Sequence, residues 1–233
     1  MSVKFYKSEN QVPLEMHKVR VIQKLNLLPV DERLRAIQKA GNNTFLLQNK
    51  DIYLDMLTDS GVNAMSDRQT AAMHLADDAY AGSETFMRLK TAMKEVFGTD
   101  NILPAHQGRA CENILAERFV KPGMIAIMNF HFTTTKAHVT RCGGEVVEVL
   151  HRKGLIPQSN DPFKGDMDLQ ELRRVIQEYG PNRVAYVRVE AGTNLIGGQP
   201  VSLENMLAVA ESAMSLACQV FWMHPCCKII STL

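Results

Sequence analysis

The residues of this sequence best suited to chemistry are Gln107-Gly108-Arg109, which follow Pro104-Ala105-His106. An apolar segment, Asn101-Ile102-Leu103-Pro104, runs into them, and a helical pattern begins at once with Ala110, Cys111, Ile114, Leu115, Arg118 and Phe119. A helix that opens on glycine leaves several backbone N–H groups unpaired and exposes the positive end of its dipole. With a guanidinium beside them, those groups suit a phosphate. The triplet alone also fits a plainer reading, in which Gly108 is turn chemistry and Arg109 a surface charge. Further on, Met124-Ile125-Ala126-Ile127-Met128 reads as a buried parallel strand after Pro122-Gly123. It delivers Phe132 to the carboxyl edge of an open sheet, where ligands of α/β folds collect. Phe132 is then either a stacking face for a ring or a core phenylalanine.

The elements that must hold these residues alternate between helix and strand. Residues 31–40 read as a short helix begun by an acidic cap after Pro29 and ended near Gly41. Before it, Leu25, Leu27 and Leu28 are expected to anchor an arm on another subunit. Residues 51–57 alternate as a strand and lead into a polar loop, Thr58-Asp59-Ser60-Gly61. Ser66-Asp67-Arg68-Gln69 is a capping box opening a helix with Ala72, Met73 and Leu75. Residues 145–150 form a further strand, and Asp168 caps a helix whose Leu169, Leu172, Ile176 and Tyr179 share a face. Residues 184–189 are the next strand. Ser202 caps a helix carrying Leu203, Met206, Leu207 and Ala210, and residues 219–222 start one more strand.

Composition narrows the partners. In 233 residues, 26 Lys and Arg nearly cancel 25 Asp and Glu, with no basic stripe, so nucleic acid is not an implied partner. No apolar run approaches the roughly 18 residues of a membrane span, and the N-terminus lacks the apolar core of a secretion signal. Five cysteines at irregular spacing fit free thiols in a reducing compartment, which makes a cytoplasmic location the expectation.

Longer motifs sharpen the reading. Asn43-Thr44-Phe45-Leu46-Leu47, residues 51–61, Asp78-Ala79-Tyr80-Ala81-Gly82-Ser83, His106-Gln107-Gly108-Arg109, Phe132-Thr133-Thr134-Thr135, Phe163-Lys164-Gly165-Asp166 and residues 194–202 resemble the β-eliminating lyases of aromatic amino acids. The resemblance is collinear from about Asp31 to Phe221, and Thr133 brings it nearer the tyrosine-cleaving branch. It implies an α/β fold: the truncated large domain of a pyridoxal-phosphate-dependent transferase, aspartate aminotransferase-like and of fold type I, with a mainly parallel sheet. The implied layout is an N-terminal arm with small-domain elements at 1–57, an incomplete cofactor-binding large domain at 58–222, and a divergent tail at 223–233. By resemblance, Gln107, Gly108 and Arg109 hold the phosphate of pyridoxal 5'-phosphate, Phe132 stacks on its ring, and Asn194 bridges the ring hydroxyl and the substrate carboxylate. Thr58 and Ser60 lie near that carboxylate, and Thr133 faces the aromatic end of an aromatic amino acid substrate. Tyr80 reaches a neighbouring subunit's site as proton donor, which implies a homo-oligomer. Gly61 and Asp78 hold a monovalent cation such as K+, with Asp78 shorter than the family's glutamate.

The resemblance stops after Trp222. The family places a carboxylate for the ring nitrogen at position 223, within a Tyr-Asp-Ala-Thr-Arg run, where this chain has Met223. A thioether is a weak acceptor and cannot stabilise a pyridinium. The Schiff-base lysine and the small C-terminal domain would lie beyond Leu233, and Lys228 is in no matching context. The expectation is a chain inactive alone, or a non-catalytic remnant that binds cofactor phosphate or dimerises. Trp222-Met223 can only be written UGG-AUG, and His224 adds CAU or CAC. Read from the last base of the Trp codon, that string gives GAU-GCA, or Asp-Ala, the family's dipeptide. The next codon in that frame gives Ser or Pro instead of Thr. One missing G after Trp222 is one expectation; a second slip, a splice error, coincidence, or a real short product whose tail has its own role are the alternatives, and sequencing transcript and locus decides between them. An uninterrupted message with no lysine-bearing continuation downstream contradicts the missing base.

Overall fold

The computed structural model describes residues 26–55, 65–224 and 229–232. Leu25, Thr58, Ser60, Gly61 and Lys228 lie outside the described residues. The chain forms two compact units, Met1–Thr85 and Phe86–Leu233.

In the first unit, α1 (Val30–Lys39) starts after Pro29 without a side-chain cap. The Pro29 carbonyl accepts the N–H groups of Glu32 and Arg33 at 3.1 Å each. Asp31 and Glu32 sit inside the first turn, where they complement the dipole instead of capping it, and this corrects the expected acidic cap. Gly41, at φ 65°, ends the helix. The strand expected over 51–57 is absent from its described part. Asn49–Asp51 is a single 3-10 turn, and the chain beyond it through Asp55 is irregular. A strand needs a neighbour for its backbone groups. Here Ile52 and Leu54 instead line an apolar groove with Val30, Leu34, Ile37 and Leu47. The capping box at α2 (Asp67–Leu75) is complete: Gln69 N–H donates to Ser66 Oγ at 3.0 Å, and Ser66 N–H to Gln69 Oε1 at 2.8 Å.

After α3 (Glu84–Phe97) comes the α/β part, in the order α4 (Gly108–Phe119), β1 (Ile125–Met128), α5 (Thr133–Arg141), β2 (Glu145–Glu148), α6 (Leu169–Tyr179), β3 (Val184–Glu190), α7 (Leu203–Ser215), β4 (Val220–His224) and β5 (Ile229–Thr232). The sheet order is β2-β1-β3-β4-β5. Strands β1 to β4 are parallel, and β5 pairs antiparallel with β4, Met223 opposite Ile230. The strand that opens at Val220 is thus covered on its outer side.

The central strands β1 and β3 are buried at every position, as a sheet covered on both faces requires, with successive side chains facing opposite layers. Ile125, Ile127, Val187 and Val189 pack with Leu172 and Ile176 of α6 and with Val209 and Ala213 of α7. Ala126, Met128, Tyr186 and Phe221 pack on the other side with Ala116 of α4 and Val139 of α5. Each large apolar side chain buried this way contributes about 1.5–3 kcal/mol. Tyr186 and Phe221 meet edge to face at 5.4 Å between ring centres. Of the four apolar residues named on α7, Ala210 is buried and Met206 packs against the core, whereas Leu203 and Leu207 are exposed; Val209, Ser212 and Ala213 complete the buried side.

The order places a topological switch between β1 and β3: the chain leaves β1 towards β2 on one side and returns to β3 on the other. Such switch points open a crevice at the carboxyl ends of the strands. Asp168 caps α6 through the N–H groups of Gln170 and Glu171. Asp166 accepts the N–H of Ser202 at 2.7 Å and the Lys153 ammonium at 3.1 Å, joining the segment before α6 to the cap of α7. Between them, Gly165 lets the backbone pass close to the 193–200 loop. A Cβ there would lie 2.4 Å from Thr193 Oγ1 and 2.7 Å and 2.9 Å from the carbonyl oxygens of Gln199 and Pro200. Gly165→Ala is expected to destabilise the chain by about 1–3 kcal/mol, because two backbone segments must move apart. Thermal unfolding checks this, and an unchanged midpoint would contradict the close approach.

Candidate functional site

The residues singled out in the sequence fall on both units. In the first, Tyr80 lies on a loop that Asp77 closes. The Asp77 carboxylate accepts the Thr85 N–H and hydroxyl, both at 2.8 Å, and its own N–H donates to Thr85 Oγ1 at 3.1 Å. These bonds, the Thr85 N–H first, hold the Asp77 carboxyl far below the ordinary carboxylate range. The loop so fixed presents Tyr80 at 107% exposure, beside an exposed Asp78. Among the described residues, no three His, Cys, Asp or Glu side chains gather as a metal site would need. No helix among them is long and apolar enough to cross a membrane.

In the second unit, the helix expected to open on glycine does so. Gln107 is its extended N-cap residue, without a side-chain cap bond, Gly108 is buried, and Arg109 is exposed. The first turn therefore offers backbone donors and a guanidinium together. At the carboxyl end of β1, Phe132 is the extended N-cap residue of α5, also without a side-chain cap, half-buried, with Thr133 exposed after it. His131, just before, places its N–H on Glu148 Oε1 at 3.0 Å and its ring against the same carboxylate, tying the ends of β1 and β2. Beyond β3, Asn194 opens a 3-10 turn that closes at Gly197, in the left-handed region at φ 91° and ψ 30°. Phe132 and Asn194 thus follow the two strands that flank the switch point. Position 223 is in register with Glu190 of β3, and the residue there is methionine.

Beneath these residues is a polar cluster that the sequence did not flag. Asn129, fully buried at the end of β1, accepts the Glu190 N–H at 2.9 Å and donates to the carbonyls of Gly165 at 2.9 Å and Glu190 at 3.0 Å. Arg188, 3% exposed, reaches Glu112 of α4 and Glu190, each at 3.4 Å. Glu112 also accepts the hydroxyls of Thr134 and Thr135. Burial raises the Glu190 carboxyl above its ordinary value, with Arg188 and the Asn194 N–H pulling the other way. Burial likewise pushes the Tyr186 phenol up to about 12. Spacing could have exposed Glu112: it sits between Gly108 and Ala116 at helical intervals, on the buried stripe of α4.

This architecture, with helices on both faces of a mainly parallel sheet, is that of the pyridoxal-phosphate-dependent transferases of fold type I. The N-succinyldiaminopimelate aminotransferase of Mycobacterium tuberculosis superposes with a TM-score of 0.50 over 66% of this chain and 39% of its own, at 20% identity. The family model for beta-eliminating lyases matches residues 55–222, and the chain belongs to that family. Among its relatives, the tyrosine phenol-lyase of Fusobacterium nucleatum is 42% identical over 210 residues, 90% of this chain and 46% of the relative. That of Nostoc punctiforme is 43% identical over 206 residues, 88% of this chain and 44% of the relative. The chain spans less than half the length of the curated relatives it matches.

The raised Glu190 carboxyl gives a pH prediction. The folded state binds this proton more tightly than the unfolded chain, whose ordinary value is 4.5. Its contribution to stability is therefore full below that value and is lost as pH rises through the folded one. Denaturant unfolding of the parent should show that downward trend with pH, and Glu190→Gln should show less of it. Parallel pH curves for the two proteins would contradict the assignment.

Proposed function

We propose that this chain is the cofactor-phosphate-binding part of a pyridoxal-phosphate-dependent carbon-carbon lyase that β-eliminates aromatic amino acids, tyrosine foremost. The observation that carries the reading is the pair of helix N-termini, α4 and α5, both free of side-chain caps, one bearing Arg109 and the other Phe132. Family membership supports it. The residues fit the group: Gln107, Gly108 and Arg109 would hold the phosphate dianion, Phe132 would stack on the ring, and Asn194 would meet the ring hydroxyl. When bound, pyridoxal phosphate supplies an electron sink for charge developing at the substrate's α-carbon.

The chain's own residues would then bind and orient. Thr58 and Ser60 would take the substrate carboxylate, and Thr133 the phenol end. The exposure of Tyr80 on a closed loop suits a residue that protonates a leaving group in a neighbouring subunit's site. A cation held by the Gly61 carbonyl and Asp78 would steady that loop. In this reading the assembled enzyme is a cytoplasmic homo-oligomer.

One observation favours a second reading. Position 223, opposite Glu190, carries methionine where the resemblance calls for a carboxylate. A non-catalytic product that binds the cofactor phosphate or dimerises is consistent with that substitution. The purified chain, given pyridoxal 5'-phosphate and tyrosine, is accordingly expected to release no phenol or pyruvate above background, and turnover would contradict this.

The shared core of both readings is the phosphate site. Arg109→Ala should weaken binding of pyridoxal 5'-phosphate by about 1.5–3 kcal/mol, the range for a hydrogen bond to a charged group. Equilibrium dialysis measures it, and equal affinity would return Arg109 to the role of a surface charge.

A further inference from the structure

One side chain, a turn in from the start of α4, joins that helix to the first turn of α5. Glu112 lies three residues after Arg109 and is 4% exposed. Its Oε1 accepts the Thr135 hydroxyl at 2.5 Å and an N–H of Arg188 at 3.4 Å, and its Oε2 accepts the Thr134 hydroxyl. Thr134 and Thr135 directly follow Phe132-Thr133, and Arg188 lies near the end of β3, on the way to Asn194. Three segments that carry candidate cofactor ligands thus meet on one carboxylate.

Helix packing does not require a charge at that position. On the buried stripe of α4, between Gly108 and Ala116, an apolar side chain would serve. A carboxylate is tolerated in such a place only when charge and hydrogen bonds compensate it, and in return it gives directional links that apolar contact lacks. Here the links run between two helix ends that no side chain caps, so they fix the spacing of the backbone donors of α4 from Phe132 of α5.

We propose that Glu112 is a positioning residue for the phosphate end of this site: without touching the ligand, it sets the N-termini of α4 and α5 in one arrangement through Thr134 and Thr135, with Arg188 as counter-charge. The inference rests on the cofactor reading above.

The test uses the full chain, Glu112→Gln, and a Thr134→Val/Thr135→Val double variant, each titrated with pyridoxine 5'-phosphate and with pyridoxine. Neither probe has an aldehyde, so neither can react with surface lysines. The parent is expected to prefer the phosphorylated probe, and both variants to lose roughly tenfold of that preference. Affinity for pyridoxine and the far-ultraviolet circular dichroism should stay unchanged. An undiminished preference in a folded variant overturns the proposal. A parallel loss for both probes also overturns it, since that is the mark of a purely structural role. Should Glu112→Gln fail to fold, the double variant, which keeps the Glu112–Arg188 pair, decides alone. No preference in the parent overturns the phosphate reading itself, a result distinct from either of the others.

Discussion

The carboxyl edge of the sheet depends on a buried cation, Arg188, held between two buried carboxylates, Glu112 and Glu190. Parallel strands covered on both faces leave little access to water, so polar groups at this edge must satisfy one another. Removing Arg188 would leave two buried carboxylates without their counter-charge, at a cost of about 3–5 kcal/mol. The three side chains come from α4 and β3. Threonines of α5 complete the set, and Asn129 pins β1 to β3 and to the backbone at Gly165. One network therefore fixes every element from which Arg109, Phe132 and Asn194 project.

This arrangement explains why two of the family motifs lie where they do. Phe163-Lys164-Gly165-Asp166 and the 194–202 segment do not face each other across a ligand. Gly165 lies against Thr193, Gln199 and Pro200, and Asp166 grips the cap of α7. Their shared task is to hold the turn that carries Asn194. The motifs at Gln107-Gly108-Arg109 and Phe132-Thr133 are different in kind, since each begins a helix whose donors no side chain takes.

Much of this was legible from local chemistry. The apolar run 124–128 became a strand over Ile125–Met128, buried throughout, Ser66 and Gln69 formed their capping box, Asp168 and Ser202 capped their helices, and Gly108 opened α4. These features depend on neighbours in sequence. What could not be read depends on neighbours in space. The alternation at 51–57 lacked a partner strand among the described residues, and its apolar groups went to a groove beside α1. Asn129 looks like an ordinary loop residue until β3 is placed beside it, and the partners of Glu112, though not its place on the buried stripe of α4, depend on the same neighbour. The pairing of β5 with β4 follows a stretch whose sequence matches no family motif, so nothing local announced it.

The central claim is that the carboxyl edge at the β1–β3 switch point is built for a phosphate-bearing ligand. Phosphorus-31 nuclear magnetic resonance of pyridoxine 5'-phosphate tests it most directly, because it observes the phosphate alone. The account predicts that the full chain shifts or broadens that resonance, that inorganic phosphate in excess reverses the change, and that Arg109→Ala diminishes it. A resonance unmoved by the folded chain would contradict the claim.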